Sequence, residues 1–497
     1  MKTIRFLLIA IGLTTNLFGQ TINWSKELPD NNRYPYLKIL GSSNDGFYLL
    51  RSNIPLDNSR DNYGLRSRKY WLQYFSNEMN LRWEKEVNPS IEEAKILDIK
   101  AVGTQVLVFS SHPHAGSPGL DIYAQFISAS GEYAGIPALL ENSSLTKFED
   151  DFKPAITFSK DKSKFSLAYR KSLNDGEAQS VCNIVVDTTL KEIYRAELNI
   201  DAPVKRYAPG HYLLSNSGAF YVLGVKYLTD KRIKSPDESY YTVSGFDPVK
   251  SQASSYDIKL EGQFLSDANI AFDELNNLVV VAGFYSNTGM LATAGLFYTS
   301  LKTDSLKLSS VYTAPFTGTL LQKSITDRND YRKKELFNFY IDRLVLRKDG
   351  GAVVIAESYV ETSRTFWDYY TQSMITHNYY RYGNILAASF NPNGGMLWNI
   401  AFQKEQNSVD DEGYESSYCS LVSSGTFYSI YNKYIDQRSS VLISKVDGNG
   451  SEKTDVLFQE SERVVVIARA ARQVSEKVML IPALRQNRWF ILKLTFP

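Results

Sequence analysis

The sequence predicts an all-β protein built from a repeated unit of four strands. Tyr and Phe are abundant, with 33 and 26 residues, and both residue types favour strands. The apolar segments are short and alternate with polar residues, as they do in half-buried strands. Tight turn signals of Gly, Asn, Asp or Ser recur along the chain, each followed by a β-rich run. These three observations indicate β-hairpins in series.

The turn segments align in eight copies. They begin at Ser42, Ala101, Ser159, Ser215, Asp273, Arg347, Val422 and Arg472. A second hairpin follows each of the first seven copies, as in "KYWLQYFSNEMNLRWEKEV" from Lys69. The eighth copy ends in "RWFILKLTF" and lacks a final strand. The pattern therefore predicts seven units of four strands and a last unit of three.

The short segment "TINWSKEL", residues 21–28, is predicted to supply the missing strand. Its residues 24–28 resemble the fourth strands "RWEKEV" (82–87) and "LWNIAF" (397–402). Four-stranded units repeated around a ring are typical of β-propellers, which protect their sheet edges by closing the ring. We therefore predict a single eight-bladed β-propeller over residues 21–497, closed non-covalently by an N-terminal strand.

Two stretches carry a more specific resemblance. They are "LFNFYIDRLVLRKDGGAVVIAESY" (336–359) and "ILAASFNPNGGMLWNIAFQKEQNSVDDEGYESSY" (385–418). They resemble an uncharacterised family of exported bacterial proteins. No WD dipeptide, kelch double glycine or Asp-box recurs from unit to unit: the one Trp–Asp pair is at 367–368, and double glycines occur only in the sixth unit, at 350–351 and 394–395. The resemblance implies export and a propeller, and it implies no activity.

Residues 1–20 are predicted to be a secretory signal peptide. Lys2 and Arg5 precede the apolar run "FLLIAIGL", and small or polar residues follow in "TTNLFGQ", which is the organisation of a cleaved leader. Cleavage is expected near Gly19 or Gln20. No cysteine follows the leader, so no lipid anchor is expected, and the last strand ends at Pro497, so no sorting domain is expected after it. These features predict a periplasmic protein, with secretion as the alternative.

The charge balance bears on binding to nucleic acid or membranes, and the cysteine positions bear on disulfide formation. The chain has 55 basic and 54 acidic residues in scattered order, which gives no electrostatic basis for binding nucleic acid or anionic membrane. The two cysteines, Cys182 and Cys419, fall in blades 3 and 7, which are predicted to lie opposite each other. A disulfide is excluded at that separation, so both are expected to be buried free thiols.

Long connections are predicted to gather on one face of the ring. The tight turns join the first strand to the second and the third to the fourth, so the remaining connections share the opposite face. Five of these are long: residues 53–69, 228–240, 313–339, 360–384 and 403–417. Connections longer than roughly 12 to 15 residues are usually functional or disordered. Three of them surround blades 5 to 7, which makes this the candidate binding face.

The predicted binding face depends mainly on two insertions, residues 313–339 and 360–384. The first has apolar residues among charges, compatible with one amphipathic helix over the ring: Leu320, Leu321, Ile325, Tyr331 and Leu336. The second holds seven aromatic residues, which form either a lid packed on itself or a binding platform for protein or sugar. They are Phe366, Trp367, Tyr369, Tyr370, Tyr379, Tyr380 and Tyr382.

Catalytic, cofactor-binding and metal-ligating residues are not expected. The sequence has no G-x-S-x-G elbow, H-E-x-x-H helix or phosphate loop. His112 and His114 have too few further histidines to predict a metal site, and the acidic run at residues 410–415 matches no calcium loop.

The predicted function is a non-enzymatic protein-binding or assembly module. Its expected partner is an outer-membrane or envelope complex, of which it would be an accessory or plug, such as the type IX secretion translocon. The alternative is a propeller that binds or cleaves glycans with the aromatic residues of blade 6 and the acidic residues 410–415.

Overall fold

The computed structural model describes residues 19–54, 68–114, 119–143, 154–173, 176–303, 306–324, 335–435 and 439–497. These residues form eight sheets of four or five strands and a ribbon of two short strands. Every neighbouring pair of strands in them is antiparallel. Each sheet takes its strands from one stretch of the chain, except the last sheet, which also contains the first strand. The predicted all-β propeller class is confirmed.

The first half of the chain forms sheets 1 to 4. Strand β1 (Thr21–Trp24) comes first and belongs to sheet 8. Sheet 1 contains β2 (Tyr36–Ser42), β3 (Gly46–Ser52), β4 (Tyr70–Ser76) and β5 (Leu81–Val87). Sheet 2 contains β6 (Lys95–Val102), β7 (Gln105–Pro113), β8 (Leu120–Ile127) and β9 (Tyr133–Ser143). Sheet 3 contains β10 (Ala155–Phe158), β11 (Lys164–Leu173), β12 (Ala178–Asp187) and β13 (Glu192–Ile200), and sheet 4 contains β14 (Tyr207–Leu214), β15 (Phe220–Tyr227), β16 (Ser239–Asp247) and β17 (Gln252–Ile258).

The second half forms sheets 5 to 8. Sheet 5 contains β18 (Phe264–Asp273), β19 (Leu278–Ser286), β21 (Gly295–Lys302) and β22 (Lys307–Pro315), and β20 (Ala292–Thr293) pairs with β23 (Leu336–Phe337) in the ribbon. Sheet 6 contains β24 (Phe339–Leu346), β25 (Ala352–Asp368), β26 (Ser373–Phe390), β27 (Met396–Phe402) and β28 (Gln406–Val409). Sheet 7 contains β29 (Cys419–Ser423), β30 (Thr426–Asn432), β31 (Val441–Val446) and β32 (Glu452–Phe458), and sheet 8 contains β33 (Val464–Val466), β34 (Arg472–Ser475), β35 (Val478–Arg485), β36 (Arg488–Thr495) and β1.

Helical structure is sparse in the described part of the chain. One α-helix, α1 (Gly318–Ser324), follows sheet 5. Connections contain 3₁₀ turns at Val204–Arg206, Pro236–Glu238, Glu460–Glu462 and Ala468–Ala470. Over the described ranges, none of these helical segments has the length and apolar character needed to cross a bilayer.

The hairpin turns form where the sequence predicts them because small and polar residues satisfy the turn backbone. At the β12–β13 turn, Asp187 Oδ1 accepts hydrogen bonds from the backbone N–H groups of Thr189 at 2.8 Å and Lys191 at 3.0 Å. At the start of β3, a Cβ on Gly46 would lie 1.9 Å from the carbonyl oxygen of Phe75. Glycine is therefore required there, because no side chain fits between the paired strands.

Hydrophobic clusters join each sheet to the next around the structure. Eight clusters of buried residues each combine side chains from two consecutive sheets. One of them joins the last sheet to the first, with Leu480 and Ile491 of sheet 8 packed beside Leu37 and Ile39 of sheet 1. The core therefore runs between the sheets and returns to its starting point, as a closed propeller requires.

The predicted closing strand is present at the edge of sheet 8. Strand β1 pairs antiparallel with β36, with Thr21 opposite Thr495 and Trp24 opposite Leu492. Beyond β1, the backbone N–H groups of Ser25 and Leu28 donate to the carbonyl oxygens of Ile491 at 2.9 Å and Trp489 at 2.8 Å. Regular pairing covers residues 21–24, with a further bridge at Leu28, so it falls within the predicted segment 21–28.

The innermost strand of sheet 8 is broken, which the sequence did not predict. Both β33 and β34 pair with β35, and the 3₁₀ turn Ala468–Ala470 separates them. The turn is buried at Ala468 and Ala470. Arg469 lies in this turn, and its side chain contacts residues outside sheet 8, as described below.

The two cysteines lie in separate sheets, as predicted. Cys182 is in β12 of sheet 3 and Cys419 begins β29 of sheet 7, and both are buried free thiols. Burial raises the pKa of both thiols, that of Cys419 to about 12. The reactive thiolate is therefore scarce in the native protein.

We expect denatured, unreduced protein to titrate two free thiols per chain, because both cysteines of the sequence are unpaired. A chromogenic thiol reagent measures this directly, and the native protein should react far more slowly. Absence of free thiols in a monomer would contradict the assignment of these cysteines to sheets 3 and 7.

Candidate functional site

A two-stranded arm extends from sheet 6 and is the most distinctive feature of the long-connection face. Strand β24 pairs with β25 only as far as Ser358, and β27 pairs with β26 only from Ile385 onward. Past these points β25 and β26 continue together, from the pair Tyr359–Tyr382 to the pair Asp368–Ser373. We call residues 359–382 the arm. Most of residues 360–384, predicted as a long connection, is thus a continuation of the blade strands β25 and β26.

The arm forms because its sequence is rich in residues that favour strands and ends in a well-satisfied turn. Asp368 accepts hydrogen bonds from the backbone N–H of Tyr370 at 2.8 Å and from the hydroxyl of Thr371 at 3.0 Å. These bonds lower the pKa of Asp368. Gln372 completes the turn with a positive φ of 49°. The turn therefore fixes the register that carries the strands outward.

The seven predicted aromatic residues divide between the tip and the base of the arm. Four lie at the tip and are exposed: Phe366, Trp367, Tyr369 and Tyr370, the last two to 84% and 100%. Tyr379 is half-buried, and the guanidinium of Arg364 lies 5.5 Å from its ring centroid. Tyr380 and Tyr382 are buried. These two cannot face a partner, so the predicted platform is reduced to the tip and Tyr379.

The base of the arm is held by a fifth strand and a buried ion pair. Strand β28 pairs with β26 over Tyr379 to Tyr382. Just before β28, the ammonium of Lys404 lies 2.8 Å from Oε1 of Glu357, and the two side chains are 0% and 3% exposed. Glu357 Oε2 also accepts a hydrogen bond from the hydroxyl of Ser417 at 2.7 Å. The arm is therefore anchored by buried polar contacts that sequence reasoning did not find.

The connection 403–417 continues from this base across the structure, and we call residues 410–417 the strap. The hydroxyl of Tyr414 accepts a hydrogen bond from the backbone N–H of Leu37 in sheet 1 at 2.7 Å. Arg469 of sheet 8 donates to the carbonyl oxygen of Glu412 at 2.9 Å and to the hydroxyl of Tyr382 at 3.0 Å. Burial lowers the pKa of Arg469 to about 10. The strap therefore ties sheet 6 to sheets 8 and 1.

The acidic residues of the strap are used in local contacts. Asp410 accepts a hydrogen bond from the backbone N–H of Asn378 at 2.8 Å and contacts the ring of His377, and these contacts lower its pKa. Asp411 accepts from the backbone N–H of Gly413 at 2.9 Å. Within the described ranges, no group of three or more His, Cys, Asp or Glu side chains could hold a metal ion.

The insertion 313–339 differs from the single helix expected for it. Helix α1 covers only Gly318–Ser324, and Leu336 lies in strand β23. Leu320 and Leu336 are buried in the core between sheets 5 and 6, and Leu321 packs against it. Ile325 and Tyr331 lie outside the described residues. Among the described residues of this insertion the helix is limited to Gly318–Ser324, and Leu336 instead lies opposite Thr293 in the pairing of β23 with β20.

The histidines of the blade 2 connection lie at the end of β7. His114 Nε2 lies 2.9 Å from Oδ1 of Asp121, and Asn142 donates to the same carboxylate oxygen at 2.7 Å. His112 is opposite Asp121 in the β7–β8 pairing. His114 is therefore paired with a carboxylate.

A cavity of about 440 Å³ lies on the opposite face, where sheets 8, 1 and 2 meet. Its lining combines apolar residues with hydroxyls, amides and one ammonium: among others Phe47, Leu480, Ser43, Asn77, Thr104 and Lys493. The ammonium of Lys493 donates to the carbonyl oxygen of Asn77 at 3.2 Å. The tight turns that line this cavity carry no chemical motif, so the sequence offered no signal for it.

Comparison with known proteins identifies structures of similar architecture and no family. No protein-family model matches the chain, and no curated protein sequence matches it. The chain is similar to the WD40 domain of SCAP from fission yeast, at 10% identity and a TM-score of 0.40, over 96% of this chain and 98% of that one. It is similar to Chaetomium thermophilum Sqt1 at 10% identity and a TM-score of 0.42, over 93% and 99%.

A third similar structure is the β-propeller domain of the Trilobed protease from Pyrococcus furiosus. The identity is 10% and the TM-score 0.34, over 82% of this chain and 94% of that one. Similarity at this level carries no argument about function. The fold assignment rests on the sheets and on the clusters between them, and membership of an exported bacterial family stays a prediction.

Proposed function

We propose that the chain is an exported, non-enzymatic protein-binding module whose partner surface is the tip of the arm. The observation that carries this proposal is the arm itself. Trp367 and Tyr370, exposed to 48% and 100%, lie at the end of a ribbon that projects beyond the strands on either side. Large exposed aromatic side chains are the residues that most often dominate protein interfaces.

The backbone of the arm supports the same proposal. Beyond Tyr359, whose N–H donates to the carbonyl oxygen of Asn338 at 2.9 Å, the outer edge of β25 has no pairing strand among the described residues. In the same part of the chain β26 has none between Ser373 and His377. Unpaired edges offer rows of N–H and C=O groups to an extended segment of a partner. An extended partner segment can therefore add to the arm while its side chains contact Phe366, Trp367 or Met374, which are also exposed.

The rigid base makes the arm suitable for binding. The Lys404–Glu357 pair, strand β28 and the strap fix the arm relative to sheet 6. A preorganised surface loses little conformational entropy on association, so more of the contact energy contributes to affinity. In the proposed setting, the protein is held in the periplasm as an accessory or plug of an outer-membrane complex, for example the type IX secretion translocon.

A glycan-binding or glycan-cleaving propeller is the second candidate. One observation favours it: burial and the nearby charge of Asp411 raise the pKa of Glu415, as occurs in carboxylic acids that act as proton donors. Against it, the backbone carbonyls of the strap accept hydrogen bonds from Arg469, and the cavity described above lies on the opposite face. We therefore rank protein binding first.

Replacing Trp367 and Tyr370 with Ala should lower recovery of the partner by roughly tenfold or more, since loss of one interface anchor can exceed 2 kcal/mol and about 1.4 kcal/mol is a factor of ten. The readout is affinity purification of the tagged protein from detergent-solubilised envelopes, followed by quantitative mass spectrometry. Circular dichroism should be unchanged because both side chains are exposed.

The matched control replaces Ile136 and Val249 with Ala, which are exposed to 88% and 86% in other sheets. This variant should recover the partner as well as the wild type does. Full partner recovery by the tip variant would place the binding surface elsewhere. Retention of a protease-resistant polysaccharide in place of a protein would favour the glycan candidate.

A further inference from the structure

Gln20 has an unusual environment for a polar residue at the start of the folded domain. It directly precedes β1 and is only 2% exposed. Neither Nε2 nor Oε1 of its amide has a hydrogen-bond partner, so this residue contributes two buried, unsatisfied atoms at the closing seam of the described structure. A Cβ on Gly19 would lie 3.9 Å from Cγ of Pro497, which places this segment against the last residue of the chain.

An intact glutamine is a costly residue at this position. Leaving a buried donor or acceptor without a partner destabilises the folded state, because the group loses its hydrogen bonds to water and gains none in return. If the leader is removed directly before Gln20, the site must also accommodate an α-ammonium, and burying an unpaired charge costs more than burying a neutral polar group. The site is thus poorly suited to the unmodified N-terminal residue.

The chemistry of the predicted leader makes Gln20 the expected first residue. The leader is predicted to be cut near Gly19 or Gln20, and of these two Gly19 is the small residue that a leader cleavage site favours directly before the cut. Cleavage therefore falls between Gly19 and Gln20. This step rests on the proposed export of the chain.

We propose that Gln20 becomes the mature N-terminus and is converted to pyroglutamate. The α-amine nitrogen attacks Cδ of the side-chain amide, the new N–Cδ bond closes a five-membered lactam, and the Cδ–Nε2 bond breaks. One proton passes from the attacking amine to Nε2, which leaves as ammonia, and no oxidation or reduction takes place. The reaction therefore needs no oxidant, reductant or co-substrate.

The product suits the site better than the reactant does. The lactam removes the primary amide and replaces the ionisable amine with one neutral N–H, so a residue that is almost fully buried no longer carries a charge. Cyclisation has to precede ring closure, because the α-amine and the side chain become enclosed once Thr21 pairs with Thr495. The pyroglutamate would therefore directly precede β1, the strand that closes the ring.

Intact-mass spectrometry of the protein purified from the envelope of the cells that make it tests the proposal. The expected mass is that of residues 20–497 less one ammonia, and stepwise N-terminal sequencing should be blocked. Treatment of the unfolded protein with pyroglutamyl peptidase should then release a sequence that starts at Thr21.

The other outcomes separate the possible errors. The mass of residues 20–497 with a readable N-terminus, or a mature chain that starts elsewhere, would overturn this proposal and leave export standing. The mass of the full 497-residue chain would overturn the proposed export as well. Neither result depends on the arm, whose role is tested separately.

A variant links the modification to the structure. Gln20→Asn keeps an amide but would require a strained four-membered ring, so the N-terminus should be readable and the melting temperature lower than that of the wild type. Thr21→Ser is the matched control at an exposed neighbour, and it should remain blocked with an unchanged melting temperature. A blocked Gln20→Asn variant would show that another modification is responsible and would contradict the proposal.

Discussion

Deletion of residues 21–28 is expected to lower the melting temperature sharply and to cause aggregation. The deletion removes β1, exposes the edge of β36 and takes away the buried side chain of Leu28. Full burial of one Leu contributes about 1.5–3 kcal/mol. Trp24 adds ring contacts at 5.4 Å with Phe458 and 6.0 Å with Phe490. An average point mutation lowers the free energy of unfolding by about 1 kcal/mol. Loss of the strand should lower it several times more.

The measurement is thermal unfolding followed by circular dichroism, with light scattering to detect aggregation. Ser25→Pro tests the same contact with a single substitution. It removes the N–H bonded to Ile491 at 2.9 Å and the hydroxyl oxygen that accepts from the Ile491 N–H at 2.8 Å. Lys26→Ala, at an exposed neighbour, is the control. An unchanged melting temperature after the deletion would rule out closure by β1 as a source of stability.

Lys404→Met is expected to destabilise the protein by about 3–5 kcal/mol, the cost of removing one partner of a buried ion pair. The substitution leaves the carboxylate of Glu357 buried without its ammonium, 2.8 Å away in the wild type. It also removes the bond from Nζ to Oε1 of Gln406 at 3.1 Å. Burial lowers the pKa of Lys404, opposed by the attraction of Glu357. The loss of stability therefore comes mainly from the charge that remains.

Urea unfolding of three variants tests this explanation. The double variant Lys404→Met, Glu357→Gln should recover part of the lost free energy of unfolding, because no unpaired charge remains. Arg206→Met breaks an exposed pair with Asp230 at 2.9 Å and should change stability little. If Lys404→Met unfolded at the wild-type urea concentration, the buried pair would have no stabilising role.

The sequence was sufficient for the strand order because hairpin signals are local. A turn such as that after Asp187 needs only residues within the turn, so composition and spacing reveal it. The closing strand was also accessible, since a unit with three strands requires a fourth. Regular pairing covers only residues 21–24 of the predicted segment 21–28, because the register of Thr21 with Thr495 is set by a strand at the other end of the chain.

The arm was recognised as important but not as a pair of strands. Its sequences "YVETSRTFWD" and "SMITHNYYRY" are rich in residues that favour strands. Length alone led to the prediction of an insertion. The alternation of Tyr380 and Tyr382, both buried, with the exposed Arg381 was the signal that distinguished the base from the tip.

The buried pair and the strap contacts could not be predicted from the sequence. Lys404 and Glu357 are separated by an entire hairpin, and an isolated Lys or Glu is expected at the surface. Arg469 reaches Tyr382 only because β33 and β34 are interrupted. Contacts of this kind depend on the positions of whole sheets, so they have no signature in local spacing.

The seam between β1 and β36 imposes an order of events on the growing chain. Ser25 and Ile491 are 466 positions apart, so the strand that is made first waits for a partner that is made last. Sheets 1 to 7 can each pack on the preceding sheet as the chain emerges. Sheet 8 is complete only when β36 pairs with β1 from the start of the chain. A chain that stops early retains two open sheet edges. Closure of the ring therefore requires that synthesis has reached β36.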